Sequence, residues 1–234
     1  MIQFQVTKDF GNPLLPVSKA RSEMYLDSAL SIYEMRSTKD SSGNGNTLDI
    51  NGLTFDSEGL VCDSVDGHYA DTGLIEPLAN TVIVAFRANP QEVTTQIYSG
   101  LPEGVSPFTG SRAAITKDGF LVADVGATPT TIHAQTGNVT PGWELVAVVT
   151  GAKQLSVTRA STMGTVTTPF ETRKVPGSTI RIGGGYVTPH NLGITGRVGL
   201  WAMYNGALND ETIKDLFMKA RSIMAGKGVI IPAP

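Results

Sequence analysis

Residues 196–226 read GRVGLWAMYNGALNDETIKDLFMKARSIMAG, and the hydrophobic period of this segment changes halfway along it. In the first part the residues alternate with a period of two, which is typical of a β-strand. Apolar residues occur on both faces, so we predict a strand inside a β-sandwich. The two predicted faces are Val198, Leu200, Ala202 and Tyr204 on one side and Arg197, Gly199, Trp201 and Met203 on the other.

The second part of the segment has the spacing of one amphipathic helix. Asn205 and Gly206 indicate a turn, and Asn209 or Asp210 is suited to cap the helix that follows. Gly226 is suited to end it. The buried strand is thus predicted to lead directly into a helix that packs on an earlier part of the chain. The apolar face of this helix would consist of Ile213, Leu216, Phe217, Ala220, Ile223 and Met224.

The composition is that of a strand-rich domain. The chain has 234 residues, with 26 glycines, 13 prolines and 17% charged residues, which favours a sandwich over a helical bundle. A net charge of -3 and the lack of a basic run predict no nucleic-acid partner. No segment has the roughly 20 apolar residues that span a bilayer. No signal peptide is recognisable, so we expect no membrane partner and synthesis in a cytoplasm.

Cys62 is the only cysteine. A disulfide within the chain and a cysteine-based zinc site are therefore excluded. We expect Cys62 to be a small buried or half-buried apolar group rather than a reactive thiol.

Several earlier segments have strand and loop patterns. Residues 25–35 favour a strand, with a helix as the alternative. Residues 81–88 form a near-continuous apolar strand, with 95–99 as its expected partner. Trp143 is expected to pack into the sandwich from the start of another strand. The segments with the clearest patterns are DSSGNGN at 40–46, GLTF at 52–55, DGHY at 66–69, GWELVAVV at 142–149 and STIRIGGG at 178–185.

These segments, in this order and followed by GRVGLWAMYNGALNDETIKDLF, resemble the laminin G-like and concanavalin A-like lectin-glucanase domains. The resemblance covers roughly residues 27 to 218. It implies an all-β fold, an antiparallel β-sandwich of the jelly-roll type, with one C-terminal amphipathic helix. The longer helix and the two ends of the chain depart from the family pattern.

The predicted domain organisation has three parts. Residues 1–22 would be an N-terminal arm, residues 23–226 the jelly-roll domain with its closing helix, and residues 227–234 a C-terminal tail. Val229, Ile230 and Ile231 in this tail either lie on the sheet or contact a partner, and we slightly favour the partner.

The sequence contains no convincing catalytic motif. Glycosidases on this fold place two or three carboxylates at alternate positions of one strand, and no such run occurs. Asp118 and Asp124 are expected on the solvated surface, and so is Glu144. No serine lies in a nucleophile motif. His68, His133 and His190 lack the spacing of zinc ligands. We therefore expect a non-enzymatic protein.

Two kinds of binding site follow from the resemblance. Members of this fold often hold a structural calcium ion, and Asp40, Asn44 and Asp66 are its candidate oxygen ligands, with Asx turns as the alternative. No other cofactor is expected. Carbohydrate binding requires an exposed aromatic face together with amide or carboxylate groups. The candidate residues for such a site are Tyr186, His190, Asn191 and Phe108.

The favoured functional hypothesis is a non-catalytic interaction protein. The fold resembles stand-alone domains of bacteriophage particles, so we expect a head-decoration or tail protein in a virion, with other virion proteins or copies of itself as partners and a cell-surface glycan as a further one. The alternative is a carbohydrate-binding module. A divergent glycosidase is the third hypothesis, and it would need two carboxylates about 5 to 10 Å apart in a concave sheet.

Overall fold

A computed structural model describes residues 21–89, 91–139 and 141–234. Within them the chain forms an all-β sandwich of antiparallel sheets with one C-terminal helix, as predicted. In chain order the elements are β1 (Ala29–Tyr33), β2 (Asp49–Asn51), β3 (Thr54–Phe55), β4 (Leu60–Asp63), β5 (Tyr69–Ile75), β6 (Asn80–Asn89), β7 (Thr95–Ser99), β8 (Ser111–Ile115), β9 (Phe120–Val125), β10 (Ala127–Thr128), β11 (Ile132–Asn138), β12 (Glu144–Thr150), β13 (Gln154–Arg159), β14 (Thr165–Pro169), β15 (Thr172–Arg173), β16 (Thr179–Ile182), β17 (Thr195–Asn205) and α1 (Asp210–Ala225).

The strands form two main sheets. The eight-stranded sheet has the order β14-β13-β12-β6-β17-β4-β3, and β1 also pairs with β17. The seven-stranded sheet has the order β11-β9-β8-β7-β16-β5-β2, and β10 and β15 form a separate pair. The predicted pairing of residues 95–99 with 81–88 is wrong, because β7 pairs with β8 and β16 in the opposite sheet from β6. Hydrophobic pattern identifies strands, whereas jelly-roll connections determine which strands become neighbours.

The main core lies between the two sheets. Trp201 stacks on Tyr33 with ring centroids 5.8 Å apart, and Tyr98 from the other sheet meets Trp201 edge-on at 6.3 Å. All three side chains are completely buried. Aromatic side chains dominate the energetics of such cores because each removes a large apolar area from water. Cys62 also lies in this core as a buried apolar group, as predicted, and burial raises the pKa of its thiol to about 12.

A second apolar cluster lies between the eight-stranded sheet and α1. Asn209 caps this helix by accepting a hydrogen bond from the backbone N–H of Thr212, and Gly226 ends it, as predicted. The expectation that Trp143 packs between the sheets is wrong, since it lies in this outer cluster under the helix. No helix in the described residues is long and apolar enough to cross a membrane.

A bulge in β17 changes the predicted faces of that strand. Val198 lies in the core between the sheets, whereas Leu200 lies in the cluster under the helix. The register of β17 against β6 shifts between these two residues, at Gly199. The extra residue of a bulge reverses the alternation, which a strict period of two does not anticipate.

The C-terminal tail packs on its own domain. Val229 and Ile231 are 3% and 7% exposed within the cluster under the helix, whereas Ile230 is 86% exposed. The amine of Lys227 donates to the carbonyl oxygens of Gly199, at 2.6 Å, and of Glu34. The expectation that the tail contacts a partner is therefore wrong for two of its three apolar residues. The predicted arm lies outside the described residues, apart from Arg21 and Ser22.

Candidate functional site

A row of polar and charged residues crosses the outer face of the seven-stranded sheet. Each member is the direct partner of the next in the ladders that join these strands. Their neighbours along the strands, including Ala70, Ala113, Ala123 and Ile182, lie in the core, so the row faces away from the other sheet. Six intervals of about 4.8 Å make it about 29 Å long. This charged row consists of His133, Asp124, Arg112, Ser99, Arg181, Asp71 and Asp49.

Asp124 lies at the buried centre of one half of the charged row. It accepts hydrogen bonds from the Nε of Arg112 and the Nδ1 of His133, and it is 0% exposed. Burial alone would raise the pKa of this carboxyl, but the hydrogen bond from His133 and the charge of Arg112 outweigh it and hold that pKa below its ordinary value. The expectation that Asp124 is a solvated surface residue is therefore wrong.

The two histidines beside this ion pair have opposite roles. His133 donates from Nδ1 to Asp124, and this bond raises the pKa of His133, whose side chain is 59% exposed. His190 accepts at Nδ1 from the guanidinium of Arg112, at 2.7 Å. Because an arginine offers only donors, this Nδ1 carries no proton. Burial, and then the charge of Arg112, lower the pKa of His190.

The other half of the charged row holds an aromatic cradle. The guanidinium of Arg181 lies 3.8 Å from the ring centroids of both Tyr69 and Tyr186. The Tyr186 hydroxyl donates to the carbonyl oxygen of Thr179, at 2.8 Å. Asp71 accepts from the hydroxyl of Thr179, also at 2.8 Å. Both tyrosine rings are half-buried and fixed in place, and we name Tyr69, Arg181 and Tyr186 the aromatic cradle.

The loop of residues 183–193 folds back over this face. A Cβ at Gly185 would lie 1.8 Å from the carbonyl oxygen of His190, and one at Gly193 would lie 1.7 Å from that of Gly183. Because they have no side chain, these glycines permit the loop to close on itself. This closure brings Tyr186 and His190 onto the charged row, at Arg181 and Arg112.

The predicted ligand residues are only partly brought together. Tyr186 and His190 both contact the charged row, and Asn191 is half-buried in the same loop, where its carbonyl oxygen accepts from Gly185. Phe108 is 6% exposed, and its ring meets the ring of His190 edge-on at 5.3 Å. Phe108 thus has no open ring face for a sugar, and it supports His190 instead.

Sequence analysis missed Tyr69, Arg112, Arg181 and the bond between Asp124 and His133. Each of these residues lies at an outward position of a short strand, which alternation could have indicated. These residues lie close together only because of how β5, β8, β9, β11 and β16 pair. No local pattern in the sequence predicts that pairing.

Asp40 binds the donors of its own loop. Its buried carboxylate stabilises the loop in the way an Asx turn does, which was the alternative to a metal ligand. The donors are the backbone N–H groups of Ile32, Ser42, Gly45 and Asn46 and the hydroxyl of Ser42.

The three candidate calcium ligands do not fit an ion. The carboxylate of Asp40 is occupied, Asn44 turns its amide nitrogen to the carbonyl oxygens of Ala29 and Leu30, and Asp66 is exposed in the turn before β5. In the parts of the chain that the structure describes, no three His, Cys, Asp or Glu side chains are grouped to hold a metal. Calcium binding at this loop therefore gains no support from the geometry.

Two more acidic residues are buried rather than exposed on the solvated surface. Glu144 is 2% exposed and forms an ion pair with Arg159, so its expected position on the surface is wrong. Glu76 is completely buried against Arg173 and accepts from the backbone and hydroxyl of Ser111. Asp118 is exposed in the turn between β8 and β9, as predicted.

A groove of about 730 Å³ lies on the opposite sheet, beside the first turn of α1. Hydroxyl groups line it and pair across strands, Ser156 with Thr167 at 2.9 Å and Thr158 with Thr165 at 2.8 Å. Among the described residues that line this groove there is no aromatic side chain. It therefore has no ring face for a sugar and contains none of the predicted site residues.

Comparisons with known proteins support the fold. No protein family and no curated protein sequence matches this chain. Solved structures do match, among them a mutant of Trypanosoma rangeli sialidase displaying trans-sialidase activity. Its TM-score is 0.64 at 15% identity, over 84% of this chain and 33% of that one.

Two other similar structures are described in complex with a ligand. The binding domain of Botulinum neurotoxin DC in complex with SialylT has a TM-score of 0.57 at 13% identity, over 83% of this chain and 52% of that one. Domain 4 of AbnA, an extracellular arabinanase from Geobacillus stearothermophilus, in complex with arabinotriose, has a TM-score of 0.57 at 16% identity. The match covers 81% of this chain and 98% of that domain.

The extent of these matches limits what they show. The chain spans about a third of the length of the sialidase and about half of the neurotoxin domain, but nearly all of the arabinanase domain. At these identities the likeness shows the fold alone. The antiparallel β-sandwich that the resemblance implies is confirmed, and nothing in these matches supports a bacteriophage origin.

Proposed function

We propose that this chain is a non-catalytic carbohydrate-binding domain whose site includes the aromatic cradle and the adjoining part of the charged row. Three of the structures with this fold are described in complex with sialic acid, with SialylT or with arabinotriose. Nearly the whole arabinanase domain matches this chain, so the binding of arabinotriose by that domain is the most direct analogy.

The observation that carries the proposal is the cradle itself. Two tyrosine rings are fixed on either side of Arg181, and Asp71 lies beside them in the row. Asp49 and Asn51, both exposed, pair with Asp71 and Tyr69 respectively. A sugar needs an aromatic surface for its apolar face and carboxylate or amide groups for its hydroxyls. We propose that the exposed parts of these two half-buried rings and the neighbouring polar side chains fill these two roles.

The same geometry favours binding over hydrolysis. Asp49 and Asp71 are direct cross-strand neighbours, so their carboxylates are close enough for glycosidase chemistry. Asp71, however, accepts hydrogen bonds from the backbone of Gly73 and the hydroxyl of Thr179 and lies against Arg181. Asp124 is enclosed by its partners. Asp71 and Asp124 are thus both occupied by groups of the protein, and we infer that the described residues of this face bind a ligand rather than hydrolyse it.

Replacing Tyr186 by alanine tests the proposal. We expect Tyr186→Ala to weaken binding of arabinotriose, measured by titration calorimetry, by about tenfold or more, equivalent to about 1.4 kcal/mol. Tyr25→Ala is the matched control, since Tyr25 contacts Arg21 in a similar ring–guanidinium pair, at 4.1 Å, but packs against the cluster under the helix. If no glycan on a broad array binds the wild-type chain, the proposed function is wrong.

The expectation of a virion component stays a prediction. None of the similar structures named above is described as a virion protein. A role in a particle would rest on assembly with other virion proteins or with copies of the chain. Light scattering of the intact chain, alone and mixed with particles that lack it, would test that role separately from sugar binding.

A further inference from the structure

We infer that the glycan bound at the cradle is uncharged, and that the site discriminates against sugars that carry a carboxylate, such as sialic acid. This inference rests on the proposed function, but it concerns the class of ligand. It follows from which charged groups on this face already have partners and which remain open to a ligand.

Both arginines of the charged row are committed to the protein. Arg112 donates to Asp124 and to His190, and its side chain is 8% exposed. Arg181 lies between two tyrosine rings, donates to the carbonyl oxygen of Gly185 at 3.0 Å, and has Asp71 at 3.7 Å. An acidic sugar would need a guanidinium or ammonium group free to pair with its carboxylate. Arg112 is covered, and the charge of Arg181, whose side chain is 20% exposed, is balanced by the adjacent Asp71.

No other cation replaces them on this face. The seven strands of the sheet and the loop of residues 183–193 contain no lysine and no arginine besides Arg112 and Arg181. His68, which precedes Tyr69, is paired with Asp63 at 2.9 Å. His133 lies four strand intervals, or about 19 Å, from Arg181, which is more than twice the Debye length of about 8 Å at physiological salt. Its charge is therefore screened from the cradle.

The charge of the row is negative near the cradle. At this end of the row, the two carboxylates of Asp49 and Asp71 lie beside one guanidinium group, that of Arg181, which leaves one excess negative charge. That excess lies at Asp49, which is exposed at the edge strand and adjoins Asp71. A carboxylate accepts hydrogen bonds from sugar hydroxyls but repels a second carboxylate. The open groups thus suit a neutral polyhydroxylated ligand.

The direct test is an array of neutral oligosaccharides, each printed beside its sialylated counterpart, followed by calorimetry with lactose, 3′-sialyllactose and arabinotriose. We expect the neutral member of each pair to bind more strongly. A preference for the sialylated members would overturn this inference while leaving the proposed function intact. Failure of every glycan to bind would overturn the proposed function and this inference with it.

A charge variant tests the cause of the discrimination. Removing a unit charge about 7 Å from a bound carboxylate changes affinity about threefold in water. Asp49→Asn should therefore raise affinity for 3′-sialyllactose relative to lactose by about threefold, with a smaller effect at high salt. Glu211→Gln removes the same charge from α1 on the opposite sheet and should leave the ratio unchanged. An equal change of the ratio in both variants would refute a local role for Asp49.

Discussion

At the scale of single residues, the ion pair of Arg112 and Asp124 controls the protonation of the two histidines that touch it. Burial, and then the charge of Arg112, lower the pKa of His190, whereas the hydrogen bond to Asp124 raises the pKa of His133. His190 also ties the loop of residues 183–193 to the sheet through its bond from Arg112. The attachment of this loop therefore depends on a neutral His190.

The pH dependence of stability should separate the two histidines. Unfolded His190 binds protons near its ordinary pKa of about 6.5, above its folded value, so the folded state loses stability as the pH falls below about 6.5. His133 stabilises the folded state below about 6.5 and loses that contribution as the pH rises through its raised folded pKa. In urea titrations from pH 6.5 to 5, His190→Asn should therefore lose less stability than wild type. As the pH rises above 6.5, His133→Asn should lose less stability than wild type, because it lacks the contribution that titrates there. Parallel profiles for all three proteins would contradict this assignment.

The buried pair of Glu76 and Arg173 makes a second prediction at this scale. Both side chains are 0% exposed, so removing one partner leaves the other charge buried without compensation. Arg173→Met should reduce the free energy of unfolding by about 3–5 kcal/mol. Lys219→Met breaks the helical pair with Asp215, which is open to solvent, and should change it by less than about 0.5 kcal/mol. Similar urea midpoints for the two variants would show that the buried pair contributes no more to stability than the exposed pair.

At the scale of elements, the meeting of β17 with α1 depends on Gly199. The bulge there lets one strand supply both Val198 and Trp201 to the core, although they are three residues apart. A Cβ on Gly199 would lie 2.3 Å from the terminal methyl of Met224 and 2.7 Å from the Trp143 ring. Met224 is flexible and can move, whereas the tryptophan ring is confined by its neighbours.

Gly199→Ala should therefore destabilise the domain through overpacking, by about 1–3 kcal/mol. Gly177→Ala is a matched control, because no heavy atom lies within 4 Å of a Cβ at that position. Thermal unfolding of the two variants beside wild type gives the comparison. An unchanged midpoint for Gly199→Ala would mean that α1 can move away from the sheet at little cost.

At the scale of the whole molecule, the C-terminal tail completes the outer cluster. Val229 and Ile231 lie in it, and Lys227 anchors the tail to carbonyl groups on β17 and after β1. Burying two such aliphatic side chains contributes about 3–6 kcal/mol. The tail is thus bound to the domain by the same hydrophobic effect that holds the helix.

Deleting residues 227–234 should lower the free energy of unfolding, measured in urea, by about 3–6 kcal/mol. The oligomeric state in solution should not change. Ile230→Ala is the control, since Ile230 is 86% exposed and should be neutral. If light scattering shows that the intact chain is an oligomer and the shortened chain a monomer of equal stability, the tail is an assembly contact after all.

The sequence alone was enough to identify the strands, the capped helix and the sandwich. Their periods, the Asn209 cap and the turn glycines are local signals, which reflect backbone sterics and the apolar faces of single elements. Tyr186 and His190 could be named in the same way, as polar and aromatic residues of a glycine-rich loop. Conversely, Phe108 was given an exposed role because its burial under His190 depends on distant chain segments.

Only the tertiary structure could show which strands are neighbours and which side chains lie together on the sheet. The charged row draws one residue from each of seven strands, and the cradle joins Tyr69 to Tyr186 across more than a hundred residues of chain. Strand order and register place these residues together, and both depend on how the two sheets bury their common core. For the same reason the burial of Asp124 against Arg112 and of Glu144 against Arg159 could not be predicted, and in the sequence both acids look like surface residues.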